Sequence, residues 1–163
     1  MRSAIRSLLL AASLLASGLV WAQPTVMLVR HGEKLDSSRD SVLSPAGEAR
    51  ALRLAQMLAA SGIRAIYTTE YRRTILLAAP LAKQLVVTPV AVPGADQDAL
   101  LKRIGSHKSN ETVLVVGHSN TVPAILKALG HTEEVKIDES EFDNLFVLVP
   151  KEGKAPAVVR LKY

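Results

Sequence analysis

Apolar residues in this chain fall into short dense runs, separated by stretches in which they recur every three or four positions. Thr25-Val26-Met27-Leu28-Val29 and Thr112-Val113-Leu114-Val115-Val116 are nearly continuous runs, the composition of strands buried on both faces of a sheet. After the first comes a polar loop from Glu33 to Val42. Ser44-Pro45 then sets a hydroxyl at N-cap and proline at the first helical position, and Ala51, Leu54 and Leu58 keep helical spacing until Gly62 stops the helix. The same reading gives a strand over Ile63 to Tyr67, a helix over Tyr71 to Leu85 and a Pro-interrupted strand near an edge over Val86 to Val92. A short helix is expected over Gln97 to Ile104, another over Thr121 to Leu129 closed by Gly130, and two late strands over Asn144 to Val149 and Ala157 to Leu161. Strands alternating with helices predict a three-layer α/β/α sandwich on a mostly parallel central sheet. The loops are short, so no large cap domain is expected.

The start of the chain has a different character. Residues 1–22 hold Arg2 and Arg6, no acid, and an apolar run from Leu8 to Ala22. That is the pattern of a signal peptide cleaved after Ala22; a run of about 15 residues is short of the roughly 20 that span a bilayer. Residues 23–163 would then form one catalytic domain, exported to the periplasm or medium, with no stable membrane insertion after cleavage. The full chain carries 20 basic and 15 acidic residues, and the leader removes two of the basic ones, so the net charge falls from +5 to +3. With no cysteine, thiol nucleophiles, disulfide frameworks and zinc–cysteine sites are excluded. Few aromatics and no basic run beyond two residues argue against a nucleic-acid partner.

In parallel α/β sheets ligands sit at the carboxyl ends of the strands. The first buried strand leads into Arg30-His31-Gly32-Glu33-Lys34, and the run at Thr112–Val116 leads into Gly117-His118-Ser119-Asn120. Two of only four histidines are thereby delivered, each beside a glycine, to the same sheet edge; the glycines are expected to let backbone and imidazole approach a ligand. The pair has no third nearby histidine and no i, i+4 spacing, so a metal site is not expected. Arg30 offers a planar fork for phosphate oxygens, and the helix after Asn120 adds N–H donors at its amino end. After the second strand, Thr68-Thr69-Glu70-Tyr71-Arg72-Arg73-Thr74 places two arginines at a helix start, of which Arg72 is expected on the solvated face.

These three motifs, in this order, resemble the histidine phosphatase superfamily, also called phosphoglycerate mutase-like. The resemblance runs from Val29 to about Leu129 and implies that His31 is the nucleophile and that Arg30, Arg73 and His118 form the phosphate pocket, with Asn120 beside them. Glu33-Lys34-Leu35-Asp36-Ser37 lacks the tryptophan and asparagine usual in mutases, so mutase activity is not expected; the Asp40–Gly47 stretch looks more like small bacterial phosphohistidine phosphatases. The activity implied is a metal- and cofactor-independent phosphomonoesterase working through a phosphohistidine, on a small-molecule or envelope phosphomonoester. Its oligomeric state is left undefined.

A general acid is harder to place. Asp96 and Asp98 open a short helix and could equally be caps, and Glu141 and Asp143 precede a late strand. Glu33 is expected to orient Arg30 or Arg73, and His107 and His131 to be solvated. The competing reading is a non-catalytic binder of phosphate or phospholipid headgroups that keeps the pocket without turnover.

Overall fold

A strand that is apolar on every residue must find cover on both faces, and the sheet provides it. The fold comes from a computed structural model and is described for residues 23–163; the predicted leader over 1–22 lies outside the described residues. The elements run β1 (Thr25–Arg30), α1 (Pro45–Leu58), β2 (Ile63–Thr68), α2 (Arg72–Leu85), β3 (Val90–Ala91), α3 (Gln97–Gly105), β4 (Thr112–Gly117), α4 (Thr121–Ala128), β5 (Asn144–Lys151) and β6 (Lys154–Lys162). They build one six-stranded sheet in the order β3-β2-β4-β1-β5-β6. β3, β2, β4 and β1 pair in parallel, β5 is antiparallel to β1 and β6 antiparallel to β5, so β5 alone runs against the rest.

Alternate residues of the central strands feed two cores. Val29, Ile66, Leu114, Val116 and Leu145 pack with Leu54, Leu58, Leu77 and Leu81 of α1 and α2. Val26, Leu28, Val113, Val115, Phe146 and Leu148 pack on the other face with Leu100, Ile104, Ile125 and Leu126 of α3 and α4. This is the three-layer sandwich that the alternation predicted, with no added cap domain among the described residues.

Helix ends follow local chemistry. Ser44 Oγ accepts from Gly47 N–H at 3.2 Å to start α1, with Pro45 in the first turn. Tyr71 makes no side-chain cap for α2; instead the carboxylate of Asp40, on the β1–α1 loop, accepts from Arg72 N–H at 2.8 Å. The strand expected from Val86 begins only at Val90. Val86 adopts a left-handed φ of 56° to end α2, and Val87 N–H returns to the Ala82 carbonyl, so both residues close the helix.

β1 and β4 lie side by side, pairing Arg30 with Gly117, and β2 flanks β4 with Thr68 opposite Val116. The residues after these three strands therefore meet at one edge.

Candidate active site

At the end of β1, His31 is 5 % exposed and its main-chain N–H donates to the Gly117 carbonyl at 2.9 Å, stitching the β1 and β4 turns together. Its ring Nδ1 lies 2.7 Å from the Gly32 carbonyl. A carbonyl only accepts, so Nδ1 carries the hydrogen and Nε2 keeps a free lone pair. Burial, with lesser contributions from His118, Arg73 and Arg30, lowers the His31 pKa to about 4, leaving the ring neutral at pH 7.

The glycines serve protein packing. A Cβ on Gly117 would stand 2.7 Å from Thr121 Oγ1, the atom that accepts from His118 N–H at 2.9 Å. A Cβ on Gly32 would stand 3.1 Å from the Gly47 Cα, because the turn presses on the start of α1. Close contact between chain segments is thus a reason for glycine at both positions that the motifs alone do not reveal.

His118 faces His31 edge-on with ring centroids 5.2 Å apart. Its pKa is lowered to about 4 by burial and then by the Arg73 and Arg30 charges, while Glu70 opposes them. Thr69 Oγ1 lies 3.0 Å from His118 Nε2, and Arg73 Nη2 lies 3.4 Å from Nδ1. Arg73 is held from three sides: Nη1 donates to the Arg39 carbonyl at 2.8 Å, the Tyr71 ring lies 4.4 Å from the guanidinium carbon, and His118 completes the set. Arg72 is exposed, as expected.

Arg30 is 4 % exposed and more heavily engaged than its motif suggests. Nη1 donates to the carbonyls of Asp138, Glu139 and Glu141 at 2.9, 2.9 and 3.1 Å, and Nη2 to Glu139 Oε2 at 2.6 Å. Phe142 stacks on the guanidinium at 4.1 Å. Arg30 Nε and Arg73 Nε are buried N–H donors without a protein partner, chemistry that an oxyanion satisfies.

A cleft of about 590 Å³ collects these groups: Arg30, His31, Arg73, His118 and Asn120 all line it. Glu33 does not. Its main chain lies against Gly47, and its carboxylate forms a two-point pair with Arg50 at 2.6 and 2.9 Å, so it orients neither Arg30 nor Arg73. Asp96 and Asp98 stand outside the cleft; Asp96 accepts from Ala99 N–H at 3.0 Å, an N-cap. Glu141 braces Arg160 and Lys162, and Asp143 pairs with Lys162. His107 is not a solvated loop residue: Nε2 meets Tyr67 Oη and Nδ1 meets Glu111, each at 2.8 Å.

Sequence reasoning missed Lys34, Arg39, Glu70, Tyr71, Ser119 and Glu139 as cleft residues. Lys34, Tyr71 and Ser119 sit within three positions of a motif, a signal that was available. Glu139 comes from a segment without regular structure, and only the fold brings it to Arg30 and Ser119, whose hydroxyl donates to it at 2.6 Å.

The sequence model of the histidine phosphatase superfamily (branch 1) matches residues 26–96. No curated protein sequence matches the chain. Among solved structures, a mycobacterial glucosyl-3-phosphoglycerate phosphatase superposes with a TM-score of 0.66 at 13 % identity, covering 86 % of this chain and 98 % of its own. SixA of Agrobacterium tumefaciens, a candidate phosphohistidine phosphatase, gives 0.63 at 20 % identity, covering 85 % and 98 %. A phosphoserine phosphatase variant from Entamoeba histolytica, solved with phosphoserine, gives 0.64 at 16 % identity, covering 83 % and 95 %. At these identities the structural likeness is one of fold.

Proposed function

Starting from the match to the histidine phosphatase superfamily, we propose that this protein is a metal-independent phosphomonoesterase that works through a phosphohistidine on His31. The observation that carries the reading is the His31 ring itself, neutral, fixed through Nδ1 to the Gly32 carbonyl, and facing His118 across a cleft that also holds Arg30 and Arg73. Nε2 attacks phosphorus in line with the ester oxygen, the P–O bond breaks, and the arginines neutralise charge on the phosphoryl oxygens. Backbone N–H groups at the start of α4, beside Asn120, add to that cradle. Water then displaces His31 and releases phosphate.

The leaving oxygen needs a proton. Two carboxyl groups line the cleft, and Glu139 is committed to Ser119 and, less strongly, to Arg30, contacts that hold it below the usual carboxylate range. Glu70 accepts from Gly94 N–H through Oε2 alone, leaving Oε1 to serve as the acid. Hydrolysis of an aryl phosphate by wild type and His31→Ala tests the scheme: loss in the variant, with acid-labile, base-stable phosphate trapped on wild-type His31, supports it, and equal rates overturn it. Full activity after EDTA treatment is expected; substantial loss would point to a metal.

The cleft adjoins, through Ser119 and Asn120, a groove of about 540 Å³ floored by Pro123, Val135 and Ile137. That space favours bulky phosphomonoesters, including envelope sugar or glycolipid phosphates, and export by the predicted leader is consistent with them. A panel of phosphosugars, nucleotides, phosphopeptides and lipid phosphates tests the substrate class; turnover confined to small substrates would overturn it. Mass spectrometry of protein recovered from the cell envelope tests cleavage after Ala22. One observation favours the rival binder: the Glu139 carboxylate already sits on Arg30, as a bound anion would. Tight phosphate binding without hydrolysis across the panel would select that reading.

A further inference from the structure

A histidine that is neutral has one ring hydrogen, and the groups around His118 decide where it goes. Thr74 is fully buried, and its hydroxyl lies 2.8 Å from the Tyr71 carbonyl and 3.1 Å from the Thr69 carbonyl. Carbonyls only accept, so the Thr74 hydrogen points to them. The 3.0 Å contact between Thr74 Oγ1 and Thr69 Oγ1 must then use the Thr69 hydrogen. Thr69 Oγ1, its hydrogen spent, can meet His118 Nε2 at 3.0 Å only as an acceptor. On the opposite edge of the ring, Arg73 Nη2 stands 3.4 Å from Nδ1 and has only hydrogens to offer.

The alternative arrangement fails at both ends. If Nδ1 carried the hydrogen, it would face the N–H of Arg73. Thr69 would have to donate to Nε2, and its contact with Thr74 would need the hydrogen that Thr74 gives to the carbonyls.

We infer that Thr69 and Thr74 are positioning residues that lock His118 in its Nε2–H form, so that Nδ1 is the proton acceptor for the hydrolytic step. This rests on the phosphatase reading for its catalytic half. In that step the water oxygen bonds to phosphorus as the bond from phosphorus to His31 Nε2 breaks. The bonding pair returns to Nε2, and one water proton passes to His118 Nδ1, whose lone pair is freed for that step as the Arg73 N–H turns from it to a phosphoryl oxygen. The imidazolium formed gives up that proton, through solvent, to the Glu70 carboxylate left by the first step, so that both rings and the acid are restored as phosphate leaves. The ladder runs one way, from Nε2–H to Thr69, from Thr69 to Thr74, and from Thr74 to a main-chain carbonyl, so a single hydroxyl lost from it frees the ring.

The test is spectroscopic first. In protein carrying 15N-histidine, protonated and bare ring nitrogens resonate far apart, and His118→Asn identifies the signals. Wild type is expected to show His118 with a bare Nδ1 and protonated Nε2 at neutral pH; a protonated Nδ1 overturns the inference without any variant having to fold. Thr69→Val is expected to give a mixture of both forms, and Thr69→Ser to restore the wild-type pattern; an unchanged spectrum in Thr69→Val overturns the lock. In rapid-quench assays with an aryl phosphate, Thr69→Val should slow breakdown of the phosphohistidine about 10- to 100-fold, so that the phosphoenzyme accumulates, with Thr69→Ser within about threefold of wild type. Equal breakdown rates would remove the catalytic half. The predicted spectrum in a protein that hydrolyses nothing would overturn the phosphatase reading, and with it the role of Nδ1, while the lock itself stands.

Discussion

At the end of β1 the His31 ring is held by a main-chain carbonyl, whereas at the end of β4 the His118 ring is held by hydroxyls borne on the β2–α2 segment. Both strands deliver an imidazole to the same cleft, and both rings are kept neutral by burial. The difference lies in what fixes the hydrogen. A carbonyl in the residue's own turn cannot be mutated away, so the orientation of His31 survives most substitutions around it. His118 depends on side chains from another element and can be unlocked one hydroxyl at a time. On the proposed scheme, the group that attacks phosphorus is fixed by the backbone, and the one that exchanges protons by groups that can be tuned.

The largest effect expected from breaking this pair is at its first member. His31→Ala should lower kcat/KM for an aryl phosphate by about 10³-fold or more, since the attacking nitrogen of the proposed scheme is removed outright. The arginines separate next. Arg73→Ala is expected to cost about 10²-fold with little change in urea midpoint, because Arg73 holds only the Arg39 carbonyl beside its cleft contacts. Arg30→Ala should lose both activity and stability, because three carbonyls of the 138–141 segment hang from its Nη1. Equal stability losses in the two variants would contradict this division.

The pH dependence sharpens the likeness between the rings. Unfolded histidines titrate near 6.5 and these two near 4, so between those values the unfolded chain binds more protons than the native one. Stability is therefore complete above about pH 6.5 and falls as pH drops toward 4. The acid limb of kcat/KM should likewise lie near pH 4 and not near 6.5. Urea titrations at several pH values check the first statement, and His31→Ala should show a shallower slope than wild type.

Much of this arrangement is legible in the chain. The uninterrupted apolar runs at Thr25–Val29 and Thr112–Val116 mark the central strands, and the residues just after them are the two histidines. Parallel pairing then puts both at one edge. Residues whose partners are distant are harder to read. Glu33 adjoins the motif in sequence, but the contact of its main chain with Gly47 places it by Arg50. Glu139 reaches Arg30 across more than a hundred residues through a segment with no periodicity to predict it. Asp40 caps α2 from a loop that precedes α1. Local pattern places elements; long-range side-chain pairing follows from the completed fold.

The Glu33–Arg50 pair offers a smaller test of the same distinction. Its partly buried carboxylate is held below the usual carboxylate range chiefly by the Arg50 hydrogen bonds. Glu33→Gln should cost about 1–3 kcal/mol of stability by leaving Arg50 without its counter-charge, with kcat/KM close to wild type. A kcat/KM loss with unchanged KM would return Glu33 to the phosphate site.

The smallest expected effect concerns Asp96. As the N-cap of α3 it accepts from Ala99 N–H, and it stands outside the cleft that His31 and His118 line. Asp96→Ala should therefore cost about 1 kcal/mol in urea unfolding, the ordinary value of a lost helix cap, and leave the alkaline limb of the pH–rate profile where it was. Glu70→Gln, by contrast, should slow substrates with poor leaving groups more than aryl phosphates, because only the former need a proton as the P–O bond breaks. If Asp96→Ala showed that leaving-group dependence and Glu70→Gln did not, the acid would belong to α3, and the segment carrying it would have to move toward His118 during turnover.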